Sequence, residues 1–339
     1  MKKKLLSIFF LITTSLYCSG QDQIFSQFYN APLYLNPALT GQFDGSIRFN
    51  ALYRNQWTGL AGDYSYVHAS GDLSLPEIRS GFGLMFNRSS EGTAYLVKNN
   101  IAASYAYIIP GDNFTLSFGL QGGITNLKLD WNKLVFGDQI DPTFGYNPGL
   151  GSGAERPNID SRFYFDAAAG ANLVYGKAML GLAAHHINRP DESLTGIDTK
   201  LPVRLSGTLS YKITLVPEQY NRDGTYIIPS VVVYKQVNVT SFSLGAQFKY
   251  KGVNVGAWFR KNGLANGSDA VVVSAIFDIF GKNNNGEKFR VGVSHDATTS
   301  KLNYTNTDGT TELGLSYQKY FPGSGKYGEY NGLRCYDFY

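Results

Sequence analysis

What most constrains this chain is a recurrence. From Ile47 onward, short segments alternate apolar and polar residues, and Gly, Asn, Asp and Pro turns separate them. In 113–128, Phe114, Leu116, Phe118 and Leu120 share one face, while Thr115, Ser117, Gly119 and Gln121 share the other. In 202–214, Val203, Leu205, Leu209, Tyr211 and Ile213 oppose Arg204, Ser206, Thr208, Ser210 and Lys212. In 239–250, Phe242, Leu244, Ala246, Phe248 and Tyr250 oppose Ser243, Gly245, Gln247 and Lys249. A side-chain period of two is the period of a β-strand. Such segments fall near 46–54, 64–73, 80–87, 97–109, 113–128, 162–175, 178–186, 202–214, 225–236, 239–250, 253–261, 270–279, 288–296 and 311–320.

Alternation alone also fits a soluble β-sandwich. Three further features select a membrane barrel: an N-terminal export signal, Tyr and Phe near strand ends, and small polar residues on the face opposite the apolar one. About fourteen strands is an even number, as single-chain outer-membrane barrels require, and closure satisfies every backbone group in lipid. The composition agrees, with 38 Gly, 24 Tyr and 22 Phe in 339 residues. After the first 20 residues no apolar run is long enough to span a bilayer as a helix. The expected fold is all-β, a transmembrane antiparallel β-barrel.

Residues 1–20 read as a signal peptide: Lys2, Lys3 and Lys4, an apolar run from Leu5 to Leu16, then Cys18-Ser19-Gly20. The mature chain is expected to start at Gln21. Tyr17 is too bulky to precede a lipidated Cys18, and with Cys18 removed only Cys335 remains, so no intramolecular disulfide is expected. An N-terminal periplasmic or plug segment (21–45), the barrel (46–321) and a periplasmic tail (322–339) follow. Tight even-numbered connections, such as Pro110-Gly111-Asp112, Gly176-Lys177 and Lys251-Gly252, are expected in the periplasm. The longer odd ones, 129–161, 187–201, 262–269 and 297–310, are expected outside. The long 215–224 connection and the short turn at Val237 are exceptions.

The stretch 22–45 breaks every period through Asn30, Pro32, Asn36, Pro37 and Gly41, yet Phe25, Phe28, Leu33, Tyr34 and Leu35 need apolar cover. FSQFYNAPLYLNPALTG followed by RFNALYRNQW resembles the opening of the PorP/SprF family of outer-membrane proteins of the Bacteroidota type IX secretion system. KLVFGDQIDPTFG from Lys133, HHINRPDESL from His185, LPVRLSGTLSYKI from Leu201, IIPSVVVYKQ from Ile227 and VGVSHDATTSKL from Val291 resemble the same family in the same order. The final RCYDFY departs from the family's Cys-Pro-Arg-Phe-type ending at Tyr336 and Asp337.

The resemblance implies a secretion component that either joins the periplasmic lipoproteins of the machine or serves one secreted cargo. That cargo would be an adhesin with a type B C-terminal domain, in some members a gliding-motility adhesin. Exposed aromatics on long loops commonly anchor interfaces. The candidate cargo contacts are therefore Trp57 with Leu60, Trp131 with Tyr146, and the 297–310 loop. The alternative is a solute channel whose lumen, lined by Arg48, Arg54, Arg204, Lys212, Lys249 and Arg260, favours anions. Phe25, Phe28 and Tyr34 discriminate: filling the lumen they close it, lying beneath it they leave a pore.

Catalytic and cofactor chemistry is not expected. His185 and His186 point to opposite faces if extended, and the acidic pairs Asp138/Asp141 and Asp191/Glu192 lack EF-hand spacing and read as solvated loop charge. Ser294-His295-Asp296 alternates faces and cannot form a triad in a strand. Gly71, Gly81 and Gly83 precede no helix, so they read as strand glycines at close approaches. A net charge of +4 without basic clusters interleaved with aromatics argues against nucleic acid.

Overall fold

The computed structural model describes residues 22–321, apart from 61, 63, 93–95, 148, 218–223, 264–266 and 281–286. The expected signal peptide, Gln21 and the 322–339 tail lie outside the described residues. The strands are β1 Ile47–Gln56, β2 Tyr64–Leu75, β3 Ser80–Glu91, β4 Leu96–Pro110, β5 Phe114–Leu129, β6 Ser161–Tyr175 and β7 Ala178–His185. They continue with β8 in two pieces, Arg204–Tyr211 and Ile213–Val216, then β9 Thr225–Gln236, β10 Val239–Tyr250 and β11 Val253–Asn262. The last three are β12 Ser268–Phe280, β13 Lys288–Thr298 and β14 Thr310–Lys319.

Each strand pairs antiparallel with its chain neighbours, and β1 pairs with β14 from Ile47↔Lys319 to Gln56↔Thr310, closing the ring. The two pieces of β8 both pair with β9, so the barrel has fourteen strands. The break in β8 lies opposite Pro229, whose missing N–H interrupts the ladder.

The barrel is inside-out relative to a soluble protein. On β5, Leu120 is 64% exposed and Ile124 59%, while Ser117 and Thr125 on the other face are buried. The same alternation on β1 leaves Phe49 and Tyr53 outside and buries Arg48, Asn50, Leu52 and Arg54. Apolar side chains face the bilayer and polar ones the interior, as the strand patterns require.

That interior is occupied. Residues 22–43 run through the ring as short turns (Phe28–Asn30, Pro32–Leu35, Pro37–Leu39), from Asp22 at the long-loop rim to the start of β1 at the short-turn rim. Phe28, Tyr29, Leu35 and Leu39 join Val174, Met179, Ile228, Val232, Trp258 and Ile276 in one core. Phe25, Leu33 and Tyr34 join Leu52, Tyr66, Met85 and Ala102 in another. The apolar core thus lies between this segment and the barrel wall. Two inward glycines admit it: a Cβ on Gly119 would lie 2.2 Å from the Pro37 carbonyl carbon, and one on Gly81 2.3 Å from the Thr40 oxygen.

Candidate functional site

The lumenal segment has too few backbone hydrogen bonds of its own, so the wall must supply partners for its buried polar groups. Near the short-turn rim, Gly41 N donates to Asp72 at 2.8 Å, and Asp72 also holds Arg48. At mid-height, Ser117 donates to the Ala38 carbonyl at 2.9 Å and Ser206 to that of Leu35 at 3.0 Å. Asn36 donates to the carbonyls of Ala171 and Leu182 and accepts from Ala38 N.

Toward the long-loop rim the partners become charged. Glu312 accepts from Ser26 N at 2.7 Å and Gln27 N at 2.8 Å, and pairs with Arg54. Asp296 pairs with Arg54 at 3.2 Å and Arg260 at 3.0 Å, and the Ser26 hydroxyl donates to it at 2.6 Å. Two arginines and two carboxylates therefore neutralise one another around Ser26. At the rim itself, His186 lies between Asp22 (2.6 Å) and Asp166 (2.9 Å), and Arg204 lies 3.4 Å from Asp22 with its guanidinium over the Tyr34 ring. Burial alone would lower the His186 pKa, but the two carboxylates raise it from 6.5 to about 9.

The 186–203 connection folds over this rim as a strap. Glu192 reaches Lys98 at 2.9 Å, Asp191 reaches Arg162 at 2.6 Å, and Leu194 and Leu201 pack against Leu127 and Tyr164. Asp191 and Glu192 are therefore ion-paired, not the solvated charge expected of them. The reason is that the strap turns inward. His186 corrects a second expectation: its φ of 57° ends the strand, so its ring lies 6.5 Å from that of His185 and not on the opposite face. Both rings find hydrogen-bond partners, and no group of three or more potential metal ligands occurs among the described residues. Ser294 and Asp296 are buried inside, whereas His295 bonds Thr311 and Tyr304, as alternation demands.

The candidate partner residues lie on the long-loop rim. Trp57 (φ 58°) is half-buried with its ring 5.8 Å from that of Tyr64, and its N–H donates to Gly309; Leu60 closes the same turn by donating to the Trp57 carbonyl. Gly59 N donates to Thr307, tying this turn to the 299–309 loop. Trp131 is half-buried with its ring 4.9 Å from Phe136, while Tyr146 is exposed in a two-residue hairpin, Ile140–Asp141 with Gly145–Tyr146. The structure groups Trp57, Leu60 and the 299–309 loop, but gives Trp131 the neighbour Phe136 in place of Tyr146. Phe25, Phe28 and Tyr34 are all buried inside the ring.

With the geometry in place, the family is decided by a sequence model described as "Type IX secretion system membrane protein PorP/SprF", which matches residues 18–317. The chain belongs to the PorP/SprF family. This PorP/SprF protein is an outer-membrane β-barrel component of the type IX secretion system. Among curated proteins nothing matches it. Among solved structures it is similar to the CymD monoaromatic hydrocarbon channel, at 13% identity and TM-score 0.48, over 88% of this chain and 94% of that one. It is also similar to the Pseudomonas putida toluene transporter TodX, at 14% identity and TM-score 0.48, over 86% and 94% of the two chains. The likeness to Acinetobacter baumannii Omp33 is 9% identity and TM-score 0.40, over 82% and 100%. At TM-scores below 0.5 none of these bears on what this PorP/SprF protein does.

Of its interior residues, Ser26, Gln27, Glu312 and Asp22 escaped the sequence reading, while Asp296 was weighed only as a triad member and Glu192 only as loop charge. The signal existed for two of them. Asp296 and Glu312 are carboxylates on the polar face of alternating strands, in a lumen already assigned arginines, and a buried arginine needs an acid.

Proposed function

We propose that this protein is a non-enzymatic outer-membrane anchor and adaptor for one secreted cargo, with residues 22–43 closing the barrel. Its long-loop rim would face outward and hold the cargo's C-terminal domain, an adhesin domain of type B, in a gliding organism a motility adhesin. Its short-turn rim and the 322–339 tail would face the periplasmic lipoproteins of the machine. The observation that carries this reading is the lumenal segment, which bonds to the wall from Asp72 near one rim to Asp22 at the other. A barrel of fourteen strands is too narrow to pass a folded domain even when empty.

The anion-channel alternative asks for unneutralised cations in the lumen. Of the six cations named for that lumen, Arg48, Arg54, Arg204 and Arg260 instead each have a carboxylate within 3.4 Å, and Lys212 lies over the Tyr226 ring, which weighs against the channel. Planar-bilayer recordings on the purified full chain test closure: silence is expected, and steady anion-selective conductance would sink the reading. Affinity capture from native outer membranes is expected to recover one large surface protein together with periplasmic type IX lipoproteins. Replacing Trp131 and Tyr146 together with Ala is expected to lower that cargo's recovery at least tenfold while the barrel still folds. Unchanged recovery would remove these two residues from the interface.

A further inference from the structure

A cavity of about 340 Å³ lies between the start of the lumenal segment, the long-loop ends of β3 to β5, and the 186–203 strap. That volume suits a small organic molecule. Its lining mixes two chemistries. Leu96, Leu127, Leu194 and Leu201 are apolar and belong, with Tyr164, to a single cluster. Asp22, Glu91, Lys98 and Glu192 are interleaved with them, Glu91 opposite Leu96 and Lys98 opposite Leu127 in the strand register.

These charges are unevenly matched. Lys98 is engaged by Glu192 at 2.9 Å, and Asp22 by His186 at 2.6 Å and Arg204 at 3.4 Å. The carboxylate of Glu91, the last residue of β3, makes no hydrogen bond or salt bridge among the described residues, and Lys98, the cation that acts on it, is the one Glu192 holds. A carboxylate beside an apolar wall, with its neighbouring acids already paired, selects a cation over a neutral or anionic guest. We propose that this cavity binds a small organic monocation with an apolar body, an alkyl- or aryl-ammonium. Its ammonium lies against Glu91 and its body against the four leucines. The site goes beyond the adaptor reading and does not depend on it, because the ligand needs neither cargo nor an open lumen.

The test uses the full chain in lipid nanodiscs and 4-fluorophenethylammonium as probe, read by ¹⁹F line broadening against empty nanodiscs. Saturable broadening is expected. The neutral 4-fluorophenethyl alcohol and the Glu91→Gln variant should each bind at least tenfold more weakly, and Glu91→Asp should keep most of the affinity. Leu127→Trp, which fills the space among the leucines, should abolish binding. Folding of each variant is checked by its heat-modifiable migration on SDS gels, as the strand pairing of the barrel is retained in every case expected here. Absence of saturable broadening with the folded wild type overturns the proposal. So does equal binding of the alcohol and the ammonium, or unchanged binding by folded Glu91→Gln. None of these outcomes touches the bilayer-conductance or cargo-capture tests, so the two readings fail separately.

Discussion

Two irregular stretches of this protein make an instructive pair, residues 22–43 inside the ring and the 130–160 connection outside it. Both lack long hydrogen-bond ladders, and both are rich in Pro, Asn and aromatic residues. The outer one satisfies itself. Asp138 accepts from Ser152 and Gly153, and Asp141 from Thr143 and Phe144, which lowers both carboxyl pKa values and pins local turns. The inner one is satisfied by others: Glu312, Asp296, Asp72, Ser117 and Ser206 all come from the barrel wall. Water serves the outer stretch wherever its own side chains do not. Inside, each unpaired group would cost about 1–3 kcal/mol, so wall and segment must match residue by residue.

The comparison breaks most visibly at Glu312. Glu312→Ala removes the acceptor of two segment N–H groups and leaves Arg54 and Arg260 facing Asp296 alone. A loss of about 3–5 kcal/mol is expected, by the rule for a buried pair stripped of one partner. It should appear as a lower urea midpoint or as a segment released to protease. A midpoint within error of wild type would mean that the segment is not held this way.

Alkali should act next. Because the folded-state pKa of His186 is raised from 6.5 to about 9, its stabilisation is fully present below pH 6.5 and is lost as pH rises through about 9. Up to about 3 kcal/mol is at stake. Hydrogen exchange is expected to speed up in the strap and in the first residues of the lumenal segment between pH 8 and 10. A His186→Gln variant should lose that dependence, and an identical pH profile in the variant would refute the assignment.

Gly119→Ala sets a methyl group against the Pro37 backbone. Overpacking of this kind costs about 1–3 kcal/mol, and intermittent conductance should appear if the segment is dislodged. A silent bilayer with unchanged stability would argue that the close approach relaxes freely. The smallest effect belongs outside: Asp138→Ala with Asp141→Ala should loosen 137–153 to proteolysis and leave the barrel's thermal midpoint where it was.

Most of the barrel was legible in the sequence. The expected 225–236, 239–250 and 64–73 agree with β9, β10 and β2 to within two residues, because lipid on one side and a polar interior on the other impose alternation without reference to distant partners. The lumenal contacts were far less legible. Ser26 meets Asp296, Arg54, Arg260 and Glu312 across separations of 28 to 286 residues, which no local pattern encodes. Phe25, Phe28 and Tyr34 announced a need for cover but not which wall would provide it. His186 misled because one residue of positive φ moved its ring to the side that extended geometry denied it.

By itself the sequence determined the strand count, the lipid-facing residues and the family, since each is written in local periodicity or contiguous motifs. The tertiary structure alone decided which charges neutralise which, where residues 22–43 lie, and that the strap folds inward over a cavity beside Glu91. Those outcomes depend on ring closure, which brings residues hundreds of positions apart within hydrogen-bonding distance and leaves them no water to bind instead.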